Sequence, residues 1–296
     1  MRNPDRDPFS ALKFIASMLI FGTIGLFRRH IPFSSGLLAF ARGALGGLFL
    51  ICFLRVKGER IRHGLTRKQL VLLMLGGAAM GINWILLFEA YNYTSVAVAT
   101  LCYYMQPTIV LLLSPLVFRE RITPLKACCA AAALFGMVLV SGVLEGALTE
   151  GSQLRGILFG LGAALFYSTV VILNKKAGPA NAYEKTVIEL FSAAAVMVPY
   201  MLLSRDAFSG TYSAPSLLLL LLVGLIHTGI AYVLFFGSMD GLSAQTVAIF
   251  SYIDPASALL FSAVLLHEPL TVSGWIGAVL ILCAAAACEL HGRPES

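Results

Sequence analysis

YYMQPTIVLLLSPLVFRE, residues Tyr103–Glu120, is an apolar stretch with a Gln-Pro step in its middle and an acid at its end. The sequence SYIDPASALLFSAVLLHE at Ser251–Glu268 repeats this arrangement, with Asp-Pro in place of Gln-Pro. Proline removes a backbone hydrogen bond and kinks a helix, and a polar side chain in an apolar medium requires a hydrogen-bonding partner. The two stretches therefore predict two apolar helices that are kinked beside a polar group.

Composition places these stretches in a membrane. The chain has 296 residues, of which 58% are hydrophobic and 12% are charged, whereas soluble domains have about 25% charged residues. All six cysteines fall inside apolar runs without the spacing of a metal or disulfide site, so neither a metal nor another cofactor is expected. The net charge of +6 comes from basic residues in short loops, which is typical of a membrane protein and excludes a nucleic-acid partner.

The apolar runs predict ten membrane-spanning helices, because a helix needs about 20 residues to cross the hydrocarbon. The first run is followed by RRH rather than by a small-residue cleavage site, so we interpret it as a span and not as a signal peptide. The predicted spans are 11–28, 35–54, 69–89, 95–118, 124–143, 154–174, 184–203, 214–236, 242–266 and 271–290.

Lysine and arginine predict the orientation. If the N-terminus is cytoplasmic, 16 of the 21 basic residues lie in or next to inside segments and four in outside segments, with Arg42 left within a span. This bias predicts that both termini are cytoplasmic and that the number of spans is even.

An internal repeat organises the spans. Residues 72–123 align without a gap with residues 220–271, with identities that include Gly81/Gly229, Tyr104/Tyr252, Pro107/Pro255 and Glu120/Glu268. Spans 3–5 therefore correspond to spans 8–10, and the chain divides into residues 1–147 and 148–296, with five helices each. Because five is odd, the second half has the opposite orientation. Inverted repeats are typical of alternating-access transporters, with the substrate site near the midplane between the repeats.

These motifs resemble the drug/metabolite transporter superfamily and specifically its EamA-like family. The resemblance rests on YYMQPTIVLLLSPLVFRERIT and SYIDPASALLFSAVLLHEPLT in spans 4 and 9, and on Arg42 in the sequence FARGALGG. It covers the whole chain. It implies an all-α membrane protein, with ten transmembrane helices in a 5+5 inverted repeat, whose central cavity is lined by spans 1, 3, 4, 6, 8 and 9. The repeats differ chemically, since Gln106 precedes the first proline and Asp254 the second.

Asp254 is the strongest candidate for chemistry, as the acid at the centre of a span. It could exchange a proton during transport, bind a cationic substrate, or serve as a neutral hydrogen-bonding group. His227 is predicted at the same depth in span 8. It could form a proton relay with Asp254, because imidazole titrates near neutral pH. The alternative is a packed, neutral histidine.

Arg42 and Glu189 occupy similar positions in spans 2 and 7. Arg42 could bind a substrate carboxylate through its guanidinium fork. Alternatively, the two residues could form a structural ion pair across the repeat interface.

An aromatic and polar set is expected to line the substrate cavity, where it would suit an amphipathic solute or an ammonium group. Packing against lipid or neighbouring helices is the alternative for each member alone. With Asp254, the set consists of Asn83, Trp84, Tyr103, Tyr104, Gln106, Tyr232 and Tyr252. Pro107 and Pro255 are expected to kink their helices, while Glu120 and Glu268 are expected to fix the helix ends, for example by accepting hydrogen bonds from nearby backbone amides.

The sequence thus predicts a secondary active transporter in the cytoplasmic (inner) membrane. It would move a small metabolite, an amino acid or related compound, by alternating access, and export is the expected direction. The alternatives are efflux of hydrophobic or quaternary cations, a channel, or an intramembrane enzyme, for which no paired acids, HExxH motif or nucleophile elbow is present. Expected partners are the small-molecule substrate and the lipid bilayer, with protons as a candidate coupling ion. The protein would act as a monomer or a homodimer.

Overall fold

The regular structure of the described residues is entirely helical. A computed structural model describes residues 8–58, 64–119, 122–140, 151–203, 208, 210, 212–239, 242, 247, 250–268 and 270–291. The helices are α1 Pro8–Gly22, α2 Ile24–His30, α3 Ser35–Val56, α4 Arg67–Tyr93, α5 Val96–Tyr103, α6 Gln106–Phe118, α7 Pro124–Val140, α8 Gly151–Ala177, α9 Ala182–Leu203, α10 Ala214–Gly224, α11 Ala231–Met239, α12 Ile253–Leu265 and α13 Val272–His291. A π-helical turn, Leu225–Ile230, joins α10 to α11.

Seven helical segments of the described residues are long and apolar enough to cross a membrane. Several are built from consecutive helices: α1 with α2, α5 with α6, and α10 with the π-turn and α11. The helices α7, α12 and α13 are apolar but shorter within the described ranges. Every predicted span therefore contains an apolar helix.

Four helical segments are interrupted near their middles. The helix of predicted span 1 breaks at Thr23, between α1 and α2, and that of predicted span 8 contains the π-turn. The chain leaves the helix at Tyr104 and Met105, just before Pro107, and forms a turn at Tyr252, three residues before Pro255. Breaks of this kind free backbone groups and re-aim side chains, and these four bring irregular backbone to the centre of the protein.

The ends of α6 and α12 share an unusual backbone conformation. Within the described residues, Arg119 with φ 59° and His267 with φ 53° are the non-glycine residues with positive φ. They are equivalent positions in the internal repeat. A left-handed residue ends a helix sharply, so the turn at His267 places the following residue, Glu268, at the helix end. Glu120 itself lies outside the described residues.

Helix packing follows a paired pattern. The helix α3 packs on α9, α7 on α13, and α5 on α12; α4 packs on α8 much as α1 packs on α11. Glycines permit the closest approaches. A Cβ on Gly43 would lie 2.7 Å from the Leu190 carbonyl oxygen, and one on Gly136 would lie 2.8 Å from that of Gly277. The helices α7 and α13 lie together at the periphery, while the buried core is shared among α3, α4, α8 and α9.

Candidate transport site

Asp254 is held by a tyrosine from the other half of the chain. The hydroxyl of Tyr104, at the break between α5 and α6, donates a hydrogen bond to Asp254 Oδ2 in the first turn of α12. The breaks before Pro107 and Pro255 lie where α5 contacts α12, and this contact brings the two groups together. The polar residue of the second repeat thus finds its partner in the first repeat.

Arg42 lies on α3, where it is 6% exposed. Its guanidinium carbon is 4.2 Å from the centre of the Trp84 ring and 5.6 Å from that of Phe88. Its Nε donates a 3.1 Å hydrogen bond to Thr228 Oγ1 in the π-turn. Cation–π contact with a tryptophan face stabilises a desolvated guanidinium. Its two terminal nitrogens make no hydrogen bond with the described residues.

Four tyrosines lie near Arg42, Asp254 or both. The hydroxyls of Tyr91, Tyr103 and Tyr232 lie close enough to Arg42 to interact electrostatically, and Tyr91 and Tyr103 also interact with Asp254. Tyr167 on α8 interacts with Asp254 and Tyr232, and its ring centre is 5.5 Å from that of Tyr103. A basic group and an acidic group therefore face one tyrosine-lined region.

These side chains form one polar cluster. Tyr103, Tyr104, Tyr167, Tyr232 and Asp254 come from five different helices or breaks, and each has neighbours within the group. Nevertheless each is only partly buried. This cluster of polar, partly accessible side chains is the candidate site.

Sequence reasoning missed Tyr91 and Tyr167. Tyr91 lies beyond the predicted end of span 3, but α4 continues to Tyr93. Tyr167 lies in the middle of span 6, where its hydroxyl distinguishes it from its apolar neighbours. Its repeat equivalents are aliphatic (Leu19 and Ile20), so the comparison of the two halves could not single it out. A hydroxyl near the predicted midplane of the membrane was the sequence signal that could have identified Tyr167.

Arg42 and Glu189 do not form an ion pair within the described residues. Glu189 accepts a hydrogen bond from Asn174 Nδ2, whereas Arg42 is held by Trp84 and Thr228. The physical reason is helical phase. Gly43 makes the close contact between α3 and α9, and the preceding residue points about 100° away around the helix. The structural alternative predicted for this pair is therefore not present, and Arg42 faces the tyrosines instead.

His227 belongs to a different contact from Asp254. Its Nε2 lies 2.9 Å from Thr23 Oγ1 at the break between α1 and α2, and its ring centre is 4.7 Å from that of Phe27. The π-turn explains this, because it directs His227 towards α2 and the following Thr228 towards Arg42. The predicted histidine–aspartate relay lacks a direct contact in this structure.

Three further candidates lie around the tyrosine-lined region. Asn83 is fully buried, and its Nδ2 donates a 2.6 Å hydrogen bond to the Ala163 carbonyl oxygen on α8. Gln106 begins α6 and is partly buried; its carbonyl oxygen accepts a 3.1 Å hydrogen bond from Ser168 Oγ. Tyr252 is partly buried at the turn before α12.

Glu268 joins three elements at one end of the site. Its Oε1 lies 2.5 Å from Arg29 Nη2, and its Oε2 accepts hydrogen bonds from the Val96 amide at 2.9 Å and from Ser262 Oγ at 3.0 Å. Arg29 also donates to the Thr94 carbonyl oxygen at 2.9 Å. This network, the Arg29–Glu268 network, ties α2 and the α4–α5 turn to the end of α12. The amide that Glu268 binds therefore belongs to the other repeat.

Apolar helices that are long enough to cross a membrane, with a polar tyrosine cluster among them, are typical of multi-pass membrane proteins. Comparison with known families gives the particular family. The model of the EamA-like transporter family matches residues 8–142 and, a second time, residues 154–288. The chain belongs to the EamA-like transporter family. It is accordingly a multi-pass membrane protein of a transporter family rather than of an enzyme family.

Relatives extend over nearly the full chain. The uncharacterized transporter YxxF of Bacillus subtilis is 29% identical over 278 residues, covering 94% of this chain and 88% of the relative. An uncharacterized transporter of Archaeoglobus fulgidus is 28% identical over 90% of this chain and 92% of its own. The uncharacterized inner membrane transporter YicL of Salmonella typhimurium is 25% identical over 95% of both chains.

The fold is also found among solved structures. One crystal structure aligns with a TM-score of 0.63 at 20% sequence identity, covering 96% of this chain and 99% of the solved one. At this identity the likeness concerns the fold alone.

Proposed function

We propose that this protein is a secondary active transporter of the cytoplasmic (inner) membrane, which exports an amino acid or a related small metabolite by alternating access. Family membership supports transport as the activity, and the Salmonella relative named an inner membrane transporter supports the location. The mechanism and the substrate class rest on the geometry of the site.

Three observations support a 5+5 inverted repeat, and the charge bias supports cytoplasmic termini. The same family model matches each half separately. The packing is reciprocal, since α3 on α9 and α7 on α13 each join repeat-equivalent helices, and α5 on α12 joins the equivalent spans 4 and 9. The left-handed residues Arg119 and His267 end equivalent helices. Two halves that are related in this way can exchange inward-open and outward-open arrangements at similar free energy.

The Arg29–Glu268 network supports the assignment of an outward-closed state. By the charge bias, α2 and α12 end on the outer side, so the network closes that side. Ser262 Oγ binds Glu268 within it. Its repeat equivalent on the inner side, Ser114, donates a 2.9 Å hydrogen bond to the Leu111 carbonyl oxygen of its own helix.

The observation that carries the substrate assignment is that Arg42 and Asp254 both lie near Tyr91 and Tyr103. An α-amino acid has a carboxylate and an ammonium group on a small frame. The guanidinium fork of Arg42 is suited to the carboxylate, and Asp254, aided by the tyrosine faces, is suited to the ammonium group. A hydrophobic cation, the second candidate, would gain from Asp254 and the tyrosines but would be repelled by Arg42.

Counterflow into proteoliposomes tests this proposal. Vesicles that contain the purified protein are loaded with the twenty unlabelled amino acids, and each labelled amino acid is added outside in turn. We expect saturable, transient accumulation of a subset, for which both the decarboxylated amine and the acid without its amino group compete at least tenfold more weakly. Arg155→Gln, which changes an exposed charge away from the site, serves as the matched control.

Two results would overturn the proposal in different ways. Accumulation that is equally well inhibited by the decarboxylated amine would favour the hydrophobic-cation alternative. Flux that is linear in concentration and shows no counterflow would favour a channel.

A further inference from the structure

The helices α4 and α9 run in the same direction and touch through glycine. A Cβ on Gly77 would meet the Glu189 carbonyl oxygen and lie 2.6 Å from Ser192 Cβ, and one on Gly81 would lie 2.9 Å from the Ala193 carbonyl oxygen. The residue numbers of the contacting positions rise together along both helices: Gly77 meets Glu189, and Gly81 meets Ala193. The two N-terminal ends therefore lie on the same side of the protein. By the charge bias this is the cytoplasmic side.

Beside this close contact, the two helices border an open groove of about 570 Å³. Its volume lies within the range of about 300–1,000 Å³ that is typical of small-molecule sites. One polar side chain, Ser192, belongs to its wall. The groove is lined by Val71, Met74, Leu75, Ala78, Phe191, Ser192, Ala195 and Val196.

Positive charge lies at one end of the groove. Its α4 residues form a stripe at helical spacing, and the same stripe continues backwards to Arg67 and Lys68, which are both exposed. On α9, Lys185 Nζ donates a 2.6 Å hydrogen bond to the Gly178 carbonyl oxygen, and the neighbouring acid Glu184 is buried. The N-terminal ends of both helices add their partial positive charge.

We propose that this groove binds one acyl chain of an anionic phospholipid of the cytoplasmic leaflet, whose phosphate is held by Arg67 and Lys68. An apolar groove that leads to a basic end is complementary to such a lipid in both shape and charge. Basic residues at the cytoplasmic surface attract anionic lipids. The groove is distinct from the transport site, because none of its lining residues belongs to the group around Arg42 and Asp254. The bound lipid would stabilise the α4–α9 pair, and the inference does not depend on which substrate is transported.

Native mass spectrometry and thermal unfolding test the proposal on the full chain. Purified protein is titrated with palmitoyl-oleoyl phosphatidylglycerol or with the zwitterionic palmitoyl-oleoyl phosphatidylcholine. We expect one phosphatidylglycerol to be retained at least tenfold more strongly than phosphatidylcholine and to raise the unfolding temperature. Equal retention of the two lipids by the wild-type protein would overturn the proposed headgroup site.

Two sets of variants locate the lipid. The double variant Arg67→Gln/Lys68→Gln should lose the preference for phosphatidylglycerol, and Ala195→Leu, which fills the groove, should lower the retention of both lipids. The matched control, Arg55→Gln/Lys57→Gln, removes two exposed charges from the end of α3 and should behave as the wild type. Unchanged phosphatidylglycerol retention in the Arg67/Lys68 variant would place the headgroup elsewhere, and unchanged retention in Ala195→Leu would place the acyl chain elsewhere.

Discussion

Arg29 and Glu268 are 239 positions apart in the chain, and Arg29 Nη2 lies 2.5 Å from Glu268 Oε1. The side chains are 32% and 21% exposed, so the ion pair is partly screened by water. A pair of this kind contributes at most about 1 kcal/mol, but Glu268 also holds the Val96 amide and Ser262. The contact joins the two repeats at the predicted outer side of the site.

Breaking this pair should open the outer side. For Glu268→Gln we expect a loss of about 1 kcal/mol from the outward-closed state, which is roughly a fivefold change in population. The measurement is the rate at which an impermeant maleimide, added outside, labels a cysteine at Phe27 in a background without the native cysteines. The charge-swapped Arg29→Glu/Glu268→Arg protein should recover part of the protection. If Glu268→Gln labels no faster than its parent, the network does not close the outer side.

Arg42 should be required for substrate binding. Arg42→Gln removes the cation over Trp84, and we expect the affinity for a transported amino acid to fall at least tenfold. Arg42→Lys should recover only part of this loss, because an ammonium group lacks the guanidinium fork. Equilibrium binding to purified protein is the measurement, and the unfolding temperature verifies that each variant is folded.

The charge swap Arg42→Glu/Glu189→Arg separates binding from pairing. Since the two side chains contact different partners, we expect it to restore neither stability nor transport. Restoration of both would reinstate the ion pair that this structure lacks.

The hydrogen bond from Tyr104 should position Asp254. Tyr104→Phe removes the donor and leaves the ring, so we expect substrate affinity to fall roughly fivefold, or about 1 kcal/mol. Tyr200→Phe is the matched control, because Tyr200 is 42% exposed on α9 and is not among the site candidates. Equal effects of the two changes would show that the Tyr104 hydroxyl has no special role.

Asp254 rather than His227 should set the pH dependence of transport. The titratable groups that face Asp254 are Tyr91, Tyr103, Tyr104 and Tyr167, whereas His227 contacts Thr23 and Phe27. We expect Asp254→Asn to abolish the pH dependence of counterflow between pH 5 and 8, while His227→Gln preserves its shape. The opposite pattern would assign the titrating group to His227.

The α4–α9 contact should tolerate no side chain at Gly77. A methyl group there would meet the Glu189 carbonyl oxygen, and overpacking typically costs about 1–3 kcal/mol. We therefore expect Gly77→Ala to lower the unfolding temperature. Gly162→Ala is the control, since its methyl group would lie 3.4 Å from Leu86 Cδ1 and alanine favours a helix by about 1 kcal/mol. Equal stability of the two variants would contradict the close approach.

The sequence predicted the helical segments because length and hydropathy define membrane spans with little interference from tertiary structure. It also indicated Asp254, Arg42 and the two prolines, since polar and helix-breaking residues are rare in such segments. Contacts were harder to predict. The phase of α3 separates Arg42 from Glu189, and the π-turn separates His227 from Asp254. Neither feature leaves a periodic signal in the sequence, and Tyr167 was missed because its repeat equivalents are aliphatic.

Reciprocal motion of the two ends is the most direct test of alternating access. Pro32 and Thr271, which are exposed at the predicted outer side, are equivalent in the repeat to Pro179 and Thr123 at the inner side. Spin labels at Pro32 and Thr271, and at Pro179 and Thr123, give an outer and an inner distance by double electron–electron resonance. Both distances are measured with and without a transported amino acid, and also in the Glu268→Gln variant. We expect the outer distance to lengthen as the inner distance shortens. Distances that stay constant, or that change in the same direction at both ends, would contradict alternating access.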